Sequence, residues 1–130
     1  MPRKTKIPQP TNAELEILRV LWRDGPRTVR DVHERLDRPD IGYTTVLKLM
    51  QIMVDKGLVR RDESTRSHVY EAAFEEREVK KRLVSDLLDR AFEGSAAGLV
   101  MHALESRPAS AAELQQIRSL LDELNARGES

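Results

Sequence analysis

Four polar side chains recur at intervals of three or four residues near the middle of the chain: Thr44, Lys48, Gln51 and Asp55. A helix over this stretch would place them on one face. In the major groove of DNA, Lys and Gln side chains donate hydrogen bonds to base edges, and the methyl group of Thr contacts that of thymine. The pattern therefore suits a face that reads bases, although an ordinary amphipathic helix with a solvated outer face has the same pattern.

The opposite face of the same stretch is apolar. Its side chains recur at i, i+3, i+4 and i+7, the spacing of one buried helical stripe: Val46, Leu49, Met50 and Met53. Lys56 and Gly57 then supply a cation in the last turn and a glycine after it, which together favour a helix end. We therefore predict a helix that begins near Tyr43 and ends near Lys56.

Two shorter helices are predicted upstream. Thr11 and Glu14 have the spacing of a capping box, and Asp24-Gly25-Pro26 ends the first helix. Thr28, with an acidic residue three positions later, starts the second helix, and Pro39-Asp40-Ile41-Gly42 favours a turn after it. Three short helices with a tight connection between the second and third predict a helix-turn-helix.

Two segments that favour β-strands follow, Leu58–Asp62 and Ser67–Ala73, and the residues between them can close an antiparallel hairpin. A hairpin directly after a helix-turn-helix is a wing. Its edge and tip are basic, with Arg60, Arg61, Arg66 and His68. Cations on a protruding hairpin would lie along the phosphates beside the reading groove. The alternative is a solvated hairpin whose charges bind nothing.

From Glu75 onward the composition changes to three amphipathic helices with few aromatic residues, and Ser110 with Glu113 has the spacing of a capping box at the start of the last one. We predict a flexible basic arm at residues 1–10, a winged-helix DNA-binding domain at 11–74 and a helical dimerisation domain at 75–130. Because three such helices cannot easily bury their apolar stripes alone, we expect an intertwined dimer. A helical cap folded back on its own head is the alternative. The predicted dimer residues are Val79, Leu83, Leu87, Leu99, Leu114, Ile117, Leu121 and Leu124.

Charge is balanced over the whole chain but not along it. The 130 residues carry 22 Lys and Arg against 22 Asp and Glu. Residues 1–74 hold 14 basic and 11 acidic side chains, a net of +3, and residues 75–130 hold 8 and 11, a net of −3. A mildly basic first part and an acidic second part fit a DNA-binding head with a protein-binding tail. The zero total leaves open a winged-helix protein–protein module without a DNA target.

Several function classes are excluded by residue content. The chain has no cysteine, which rules out disulfides, thiolate metal sites and cysteine catalysis. The three histidines have no metal-ligand spacing, and there is no nucleophile–base pair or Gly-rich phosphate loop, so we predict no enzyme, no metal and no cofactor. No apolar run approaches the roughly 18 to 20 residues that span a bilayer, so we expect a cytoplasmic protein without membrane insertion.

The chain resembles the penicillinase repressor family (BlaI/MecI type) from about residue 8 to residue 127. The resemblance is carried by Thr11-Asn-Ala-Glu-Leu-Glu-Ile-Leu-Arg-Val-Leu-Trp22, by Tyr43-Thr-Thr-Val46 leading to Lys56-Gly-Leu-Val59, and by Val69-Tyr70. It implies a mainly α fold with a small β-wing, in which a winged helix-turn-helix domain precedes a three-helix dimerisation domain.

The same resemblance implies a function and residues for it. Members are sequence-specific transcriptional repressors that bind a palindromic operator in double-stranded DNA as homodimers, usually encoded beside a membrane sensor-protease. By match to the family, the base-reading residues would be Thr44, Thr45 and Lys48. The backbone-contacting positions would fall near Thr28, Arg30, Arg66 and His68, to which the wing position adds Arg60. A winged-helix regulator that responds to a small molecule remains an alternative.

Two departures from the family pattern affect induction. Well-known members are cleaved at an Asn-Phe bond in the tail, and the corresponding bond here lies between His102 and Ala103. The changed residue pair leaves open whether a sensor-protease would cleave there. Copper-responsive relatives carry a cysteine-rich tail, which this chain lacks.

Overall fold

The computed structural model describes residues 6–128 and divides into two compact units after Ser85. The first unit contains helices α1 (Asn12–Asp24), α2 (Val29–Leu36) and α3 (Tyr43–Lys56), followed by strands β1 (Val59–Asp62) and β2 (Val69–Ala72). Helix α4 (Glu76–Ala91) begins in the first unit and ends in the second, which also contains α5 (Ala96–Ser106) and α6 (Ala111–Gly128). The predicted fold class, mainly α with a small β-wing, is confirmed.

The core of the first unit is formed by one side of each of its three helices and by the sheet. Its buried residues are Ile17, Leu18, Val20, Leu21, Val29, Val32, Val46, Met50, Met53, Leu58, Val59 and Tyr70. Three of the four residues in the predicted stripe of α3 are fully buried, and Leu49 packs partly buried against them. The stripe therefore faces the core as predicted, and α3 has a fixed rotation about its axis.

The wing is an antiparallel pair in which Val59 lies opposite Ala72 and Arg61 lies opposite Tyr70. The backbone of Arg27, just before α2, pairs with the other edge of β2: the Arg27 N–H donates to the Tyr70 carbonyl at 3.0 Å, and the Tyr70 N–H donates to the Arg27 carbonyl at 2.8 Å. Strand β2 is thus bonded on both edges, which fixes the wing against the start of α2.

Local signals for helix ends are confirmed. Thr11 and Glu14 form the capping box of α1, and the Thr28 hydroxyl accepts a hydrogen bond from the Asp31 N–H at the start of α2. A second capping box joins Ser110 and Glu113 at the start of α6. Each of these bonds satisfies a backbone N–H that the first helical turn leaves unpaired.

A buried carboxylate ties the start of α1 to the end of α3. Glu14 is 2% exposed, and its Oε1 accepts from the Thr11 N–H at 2.9 Å and from the Lys56 ammonium at 2.7 Å. The same ammonium donates to the Gln9 carbonyl at 3.1 Å. Gly57 follows with a φ of 87°, in the left-handed region that glycine adopts without strain.

The arm predicted at residues 1–10 lies partly outside the described residues, which begin at Lys6. Residues 6–10 belong to no helix or strand. Pro10 is nevertheless buried, and the Gln9 carbonyl is held by Lys56. The segment next to α1 is therefore attached to the first unit.

The turn between α2 and α3 is held by Arg38. Its guanidinium donates to both carboxylate oxygens of Asp40 at 2.9 Å and to Glu16 on α1 at 2.6 Å. His33 on α2 adds a second tie, because its Nε2 is 2.9 Å from the Ile41 carbonyl. The start of α3 is therefore anchored to α1 and to α2.

The first prediction concerns the Glu14–Lys56 pair. We expect Glu14→Ala to lower the free energy of unfolding by about 2 to 3 kcal/mol, because it removes a helix cap and the partner of a partly screened ammonium. The measurement is urea unfolding of the full chain followed by fluorescence of Trp22, the only tryptophan, whose Nε1 donates to the Phe74 carbonyl at 2.9 Å. The exposed Glu34→Ala is the control, with a change below about 0.5 kcal/mol. An equally small change for Glu14→Ala would contradict the prediction.

The second prediction concerns pH. The hydrogen bonds from Arg38 hold the pKa of Asp40 below its ordinary value. A carboxylate whose pKa is lower in the folded state stabilises the fold above its unfolded pKa of about 3.9, and the contribution is lost as the pH falls through the folded-state pKa.

We therefore expect Asp40→Asn to lose less stability than the wild type when urea unfolding at about pH 5 is compared with unfolding at about pH 3. Asp37→Asn is the matched control, since the neighbouring Asp37 has no ion pair with any described residue and its left-handed backbone (φ 56°) accepts Asn. Parallel pH profiles for Asp40→Asn and the wild type would show that the Arg38–Asp40 pair does not stabilise the turn.

Candidate nucleic-acid interface

The outer face of α3 is open to solvent along its length. Thr44, Thr45 and Lys48 are exposed, as are Gln51 and Asp55 further on. The face is held outward because the opposite stripe is buried in the core. The first turn of α3 contains no acidic residue, and its N-cap, Gly42, supplies no side-chain hydrogen bond. The first backbone N–H groups of α3 are thus left to an external acceptor, and the helix dipole favours an anion there.

Beside this face lies a pocket of about 330 Å³, here called the wing pocket, between the starts of α2 and α3, the loop that joins β1 to β2, and β2. Its lining residues are Thr28, Val29, Arg30, Tyr43, Leu47, Arg66, Ser67, His68 and Tyr70. Four of the five residues predicted to bind phosphate are therefore brought together, although the sequence separates the pair on α2 from the pair on the wing. Sequence reasoning did not assign Tyr43 or Ser67 to the site.

The Tyr43 ring contacts two side chains of α2, Arg30 and His33. The Arg30 guanidinium carbon lies 5.8 Å from the centre of the Tyr43 ring, over its face. The His33 ring meets the same ring edge-on, with centres 6.4 Å apart and planes at 84°. A cation over an aromatic face is attracted by the ring quadrupole, so Arg30 is oriented before any ligand arrives. The only sequence signal for this arrangement was an aromatic residue next to Thr44.

Arg60 does not join this group. Its guanidinium pairs with Glu71 across the sheet at 3.2 Å and approaches the Ala73 carbonyl at 3.5 Å. It lines a different concavity with Trp22 and Phe74. Adjacent residues of a strand point to opposite faces, so a cation on β1 can belong to either side of the wing. The position of Arg60 therefore does not support its predicted role in binding phosphate.

Three cations at the site have no acidic partner in the described part of the chain, unlike several other cations of the first unit. Among the described residues, Arg30, Lys48 and Arg66 form no ion pair. Several other cations of this unit do, and the pairs are Arg23 and Arg35 with Asp24, Arg38 with Glu16 and Asp40, Lys56 with Glu14, Arg60 with Glu71, Arg61 with Glu63, and Lys80 with Glu76. Hydrogen bonding to Tyr70 and Glu63 also raises the pKa of Arg61. Three cations that have no ion pair within residues 6–128 thus lie near one another where α3 and the wing pocket meet.

The residues predicted for dimerisation have very different exposures. Val79 is 1% exposed, so the single chain already buries it and it is not available to a partner. Leu83, Leu99 and Ile117 are partly buried. The other four, Leu87, Leu114, Leu121 and Leu124, are between 46% and 55% exposed. Val84, Val100, Met101 and Leu120 are exposed large apolar side chains that were not predicted.

The bond between His102 and Ala103 lies inside α5, and both residues are exposed. His102 Nδ1 is 3.1 Å from the Gly98 carbonyl, and the His102 ring packs edge-on against Phe92 with centres 5.5 Å apart. Nowhere in residues 6–128 are three His, Asp or Glu side chains grouped as metal ligands would be. No helix in that range is both long and apolar enough to cross a membrane.

Known proteins resemble this chain over most of its length. The model of the family described as penicillinase repressor matches residues 10–123. "Transcriptional regulator BlaI" of Mycobacterium tuberculosis is 34% identical over 124 residues, covering 93% of this chain and 88% of the relative. "Penicillinase repressor" of Bacillus licheniformis is 24% identical over 119 residues, covering 91% and 93%. A solution structure of the DNA-binding domain of the repressor BlaI covers 56% of this chain and 90% of that chain, at 26% identity and a TM-score of 0.49.

Proposed function

Because the chain belongs to the penicillinase repressor family, we propose that it is a sequence-specific DNA-binding repressor of transcription that binds a palindromic operator as a homodimer. The observation that carries the proposal is that Arg30, Lys48 and Arg66, none of which has an ion pair among the described residues, lie beside the exposed face of α3. Occupancy of the operator would block polymerase. The site of action would then be the cytoplasm, where the DNA lies.

The proposed DNA contacts are of two kinds. Thr44, Thr45 and Lys48 would enter the major groove and read base edges. Arg30 and Arg66, with Thr28 and His68, would hold the backbone phosphate beside that groove and set the register of α3. Thr28 accepts its capping bond through the hydroxyl oxygen, so its O–H proton remains available to a phosphate oxygen.

The test begins with selection of bound duplexes from a randomised pool by the full chain. Affinity for the selected duplex is then compared with affinity for a scrambled duplex at two salt concentrations. A sequence-specific repressor binds the selected duplex more tightly at both, and its affinity falls as salt rises, since phosphate contacts release counterions. Equal affinity for both duplexes would contradict the proposal and favour a protein–protein module.

Two substitutions separate base reading from phosphate binding. We expect Lys48→Ala to lower affinity for the selected duplex by about 5- to 150-fold with a smaller loss on the scrambled one, because a base contact carries sequence information. Arg30→Gln should weaken binding to both duplexes similarly and reduce the slope of log affinity against log salt by about 1. Arg35→Gln, on the same helix but outside the wing pocket, is the matched control. If Lys48→Ala leaves affinity for the selected duplex unchanged, Lys48 does not read bases.

A homodimer is supported by the second unit, in which α5 and α6 contain no buried residue in the single chain. Leu114, Leu121 and Leu124 lie on one face of α6, with Ile117 between them, at the spacing of a helix-packing seam. Three exposed leucines in one stripe are costly in water, and a second copy of the same stripe would cover them. Two linked heads also gain an effective concentration on a two-half-site operator that one head lacks.

We expect Leu121→Glu to convert a dimer into a monomer at micromolar concentration, as measured by light scattering after size-exclusion chromatography. Ser119→Glu places the same charge on the opposite side of α6 and should leave the mass unchanged. Operator affinity should fall with Leu121→Glu while Trp22 fluorescence stays that of the wild type. A wild type that elutes as a monomer, or a Leu121→Glu variant that remains dimeric, would contradict this arrangement.

The family resemblance also implies a membrane sensor-protease as the partner that ends repression. Cleavage between His102 and Ala103 would require α5 to unwind around that bond, because a protease binds its substrate as an extended strand. The contacts of His102 with Gly98 and Phe92 would oppose this opening.

A further inference from the structure

Tyr43 is the residue of the wing pocket whose role is not explained by the fold. It is the first residue of α3 and 43% exposed, so it contributes little to the core. Its hydroxyl forms no hydrogen bond with any residue in the range 6–128. Tyr70, the other tyrosine of the pocket, is only 2% exposed and belongs to the core. An exposed phenol held rigidly beside unpaired cations is typical of a binding residue, because Tyr presents an apolar ring for positioning and a polar end for contact.

The direction of the side chain separates Tyr43 from the base-reading face. Tyr43 and Leu47, one turn apart, both line the wing pocket. Thr44 and Lys48 follow each of them by one residue, about 100° further around the helix, and are exposed on the outer face. Tyr43 therefore faces α2 and the wing, on the side of the cations, while its neighbour Thr44 faces the groove.

We propose that the Tyr43 hydroxyl donates a hydrogen bond to the same backbone phosphate that Arg30 and Arg66 bind; this inference rests on the proposed function. The ring holds the Arg30 guanidinium over its face, and the hydroxyl supplies a third donor to the phosphate oxygens. The His33 ring also lies against the Tyr43 ring, in a T-shaped arrangement, and is itself held by the Ile41 carbonyl. The start of α3 is thereby locked to one phosphate, which sets the depth at which Thr44 and Lys48 enter the groove.

Tyr43→Phe is the sharpest test, because it keeps the ring that orients Arg30 and removes only the hydroxyl. We expect affinity for the selected duplex to fall about tenfold, the loss typical of a hydrogen bond to a charged group. Unfolding followed by Trp22 fluorescence should be unchanged, since the hydroxyl has no partner within the described chain. An affinity equal to that of the wild type would overturn the inference.

A scan of the DNA backbone identifies the partner. Neutral methylphosphonates are placed one at a time along each half-site of the selected duplex, and affinities of the wild type and of Tyr43→Phe are compared at every position. At the phosphate bound by the hydroxyl, the modification should cost the wild type about tenfold more than it costs the variant. The Arg30→Gln variant should likewise lose less affinity than the wild type when the methylphosphonate stands at that same position.

The outcomes distinguish this inference from the proposal beneath it. If the penalty of Tyr43→Phe is equal at every methylphosphonate position, the hydroxyl does not contact a phosphate, and the inference is wrong while the repressor function stands. Coupling of Tyr43 and Arg30 to different phosphates would overturn it as well. A wild type that does not distinguish the selected from the scrambled duplex would overturn the proposed function, and this inference with it.

Discussion

Burial of the apolar stripe of α3 is the constraint on which the interface depends. Val46, Met50 and Met53 have no exposed surface, and burying each such side chain contributes about 1.5 to 3 kcal/mol. An exposed ion pair contributes about 0 to 1 kcal/mol. The apolar stripe, and not the charges around it, therefore decides which way α3 faces. A rotation by one residue would bury Thr45 and Lys48 and expose Met50, so the fold admits only one outward face of α3.

Polar contacts then fix the ends of the helix that the stripe has oriented. Glu14 receives Lys56 at the end of α3, and Arg38 with His33 holds the turn before its start. Each of these contacts joins α3, or the turn before it, to another helix, so each limits translation of α3 along its axis, which non-directional apolar packing limits less. A helix that must present single side chains to single bases needs both restraints, because a small displacement removes a hydrogen bond.

Features encoded by neighbouring residues were predictable from the sequence. The capping boxes at Thr11 and Ser110, the glycine after α3 and its buried stripe all depend on residues within one or two turns, and all are present. Pairings between distant segments were not predictable. The bridge between Arg27 and Tyr70 joins residues 27 and 70 through backbone groups, which carry no side-chain signature. The burial of Val79 within the single chain was not predictable either, because all residues of its stripe are apolar and the sequence does not show which of them the chain itself covers.

The candidate site shows the same division. Sequence pattern and family resemblance named Thr28, Arg30, Arg66 and His68 separately, and their meeting in one pocket depends on β2 lying beside the start of α2. Arg60 was grouped with them because the wing is basic overall, yet strand alternation and the Glu71 pair separate it from them. The bracing of Tyr43 by Arg30 and His33 is a contact between helices, and nothing in the residue order predicts it.

The zero net charge of the chain is compatible with DNA binding because charge acts locally at contact distance. At physiological ionic strength, exposed charges more than about 8 Å apart are largely screened from one another. Ion pairs of the first unit neutralise several of its other cations, among them Arg38, Lys56 and Arg60. Arg30, Lys48 and Arg66 have no ion pair among the described residues, so in the proposed function their charge is available to a duplex. A chain of zero net charge that groups three unpaired cations at one face would limit non-specific coating of DNA and keep attraction for phosphates at that face.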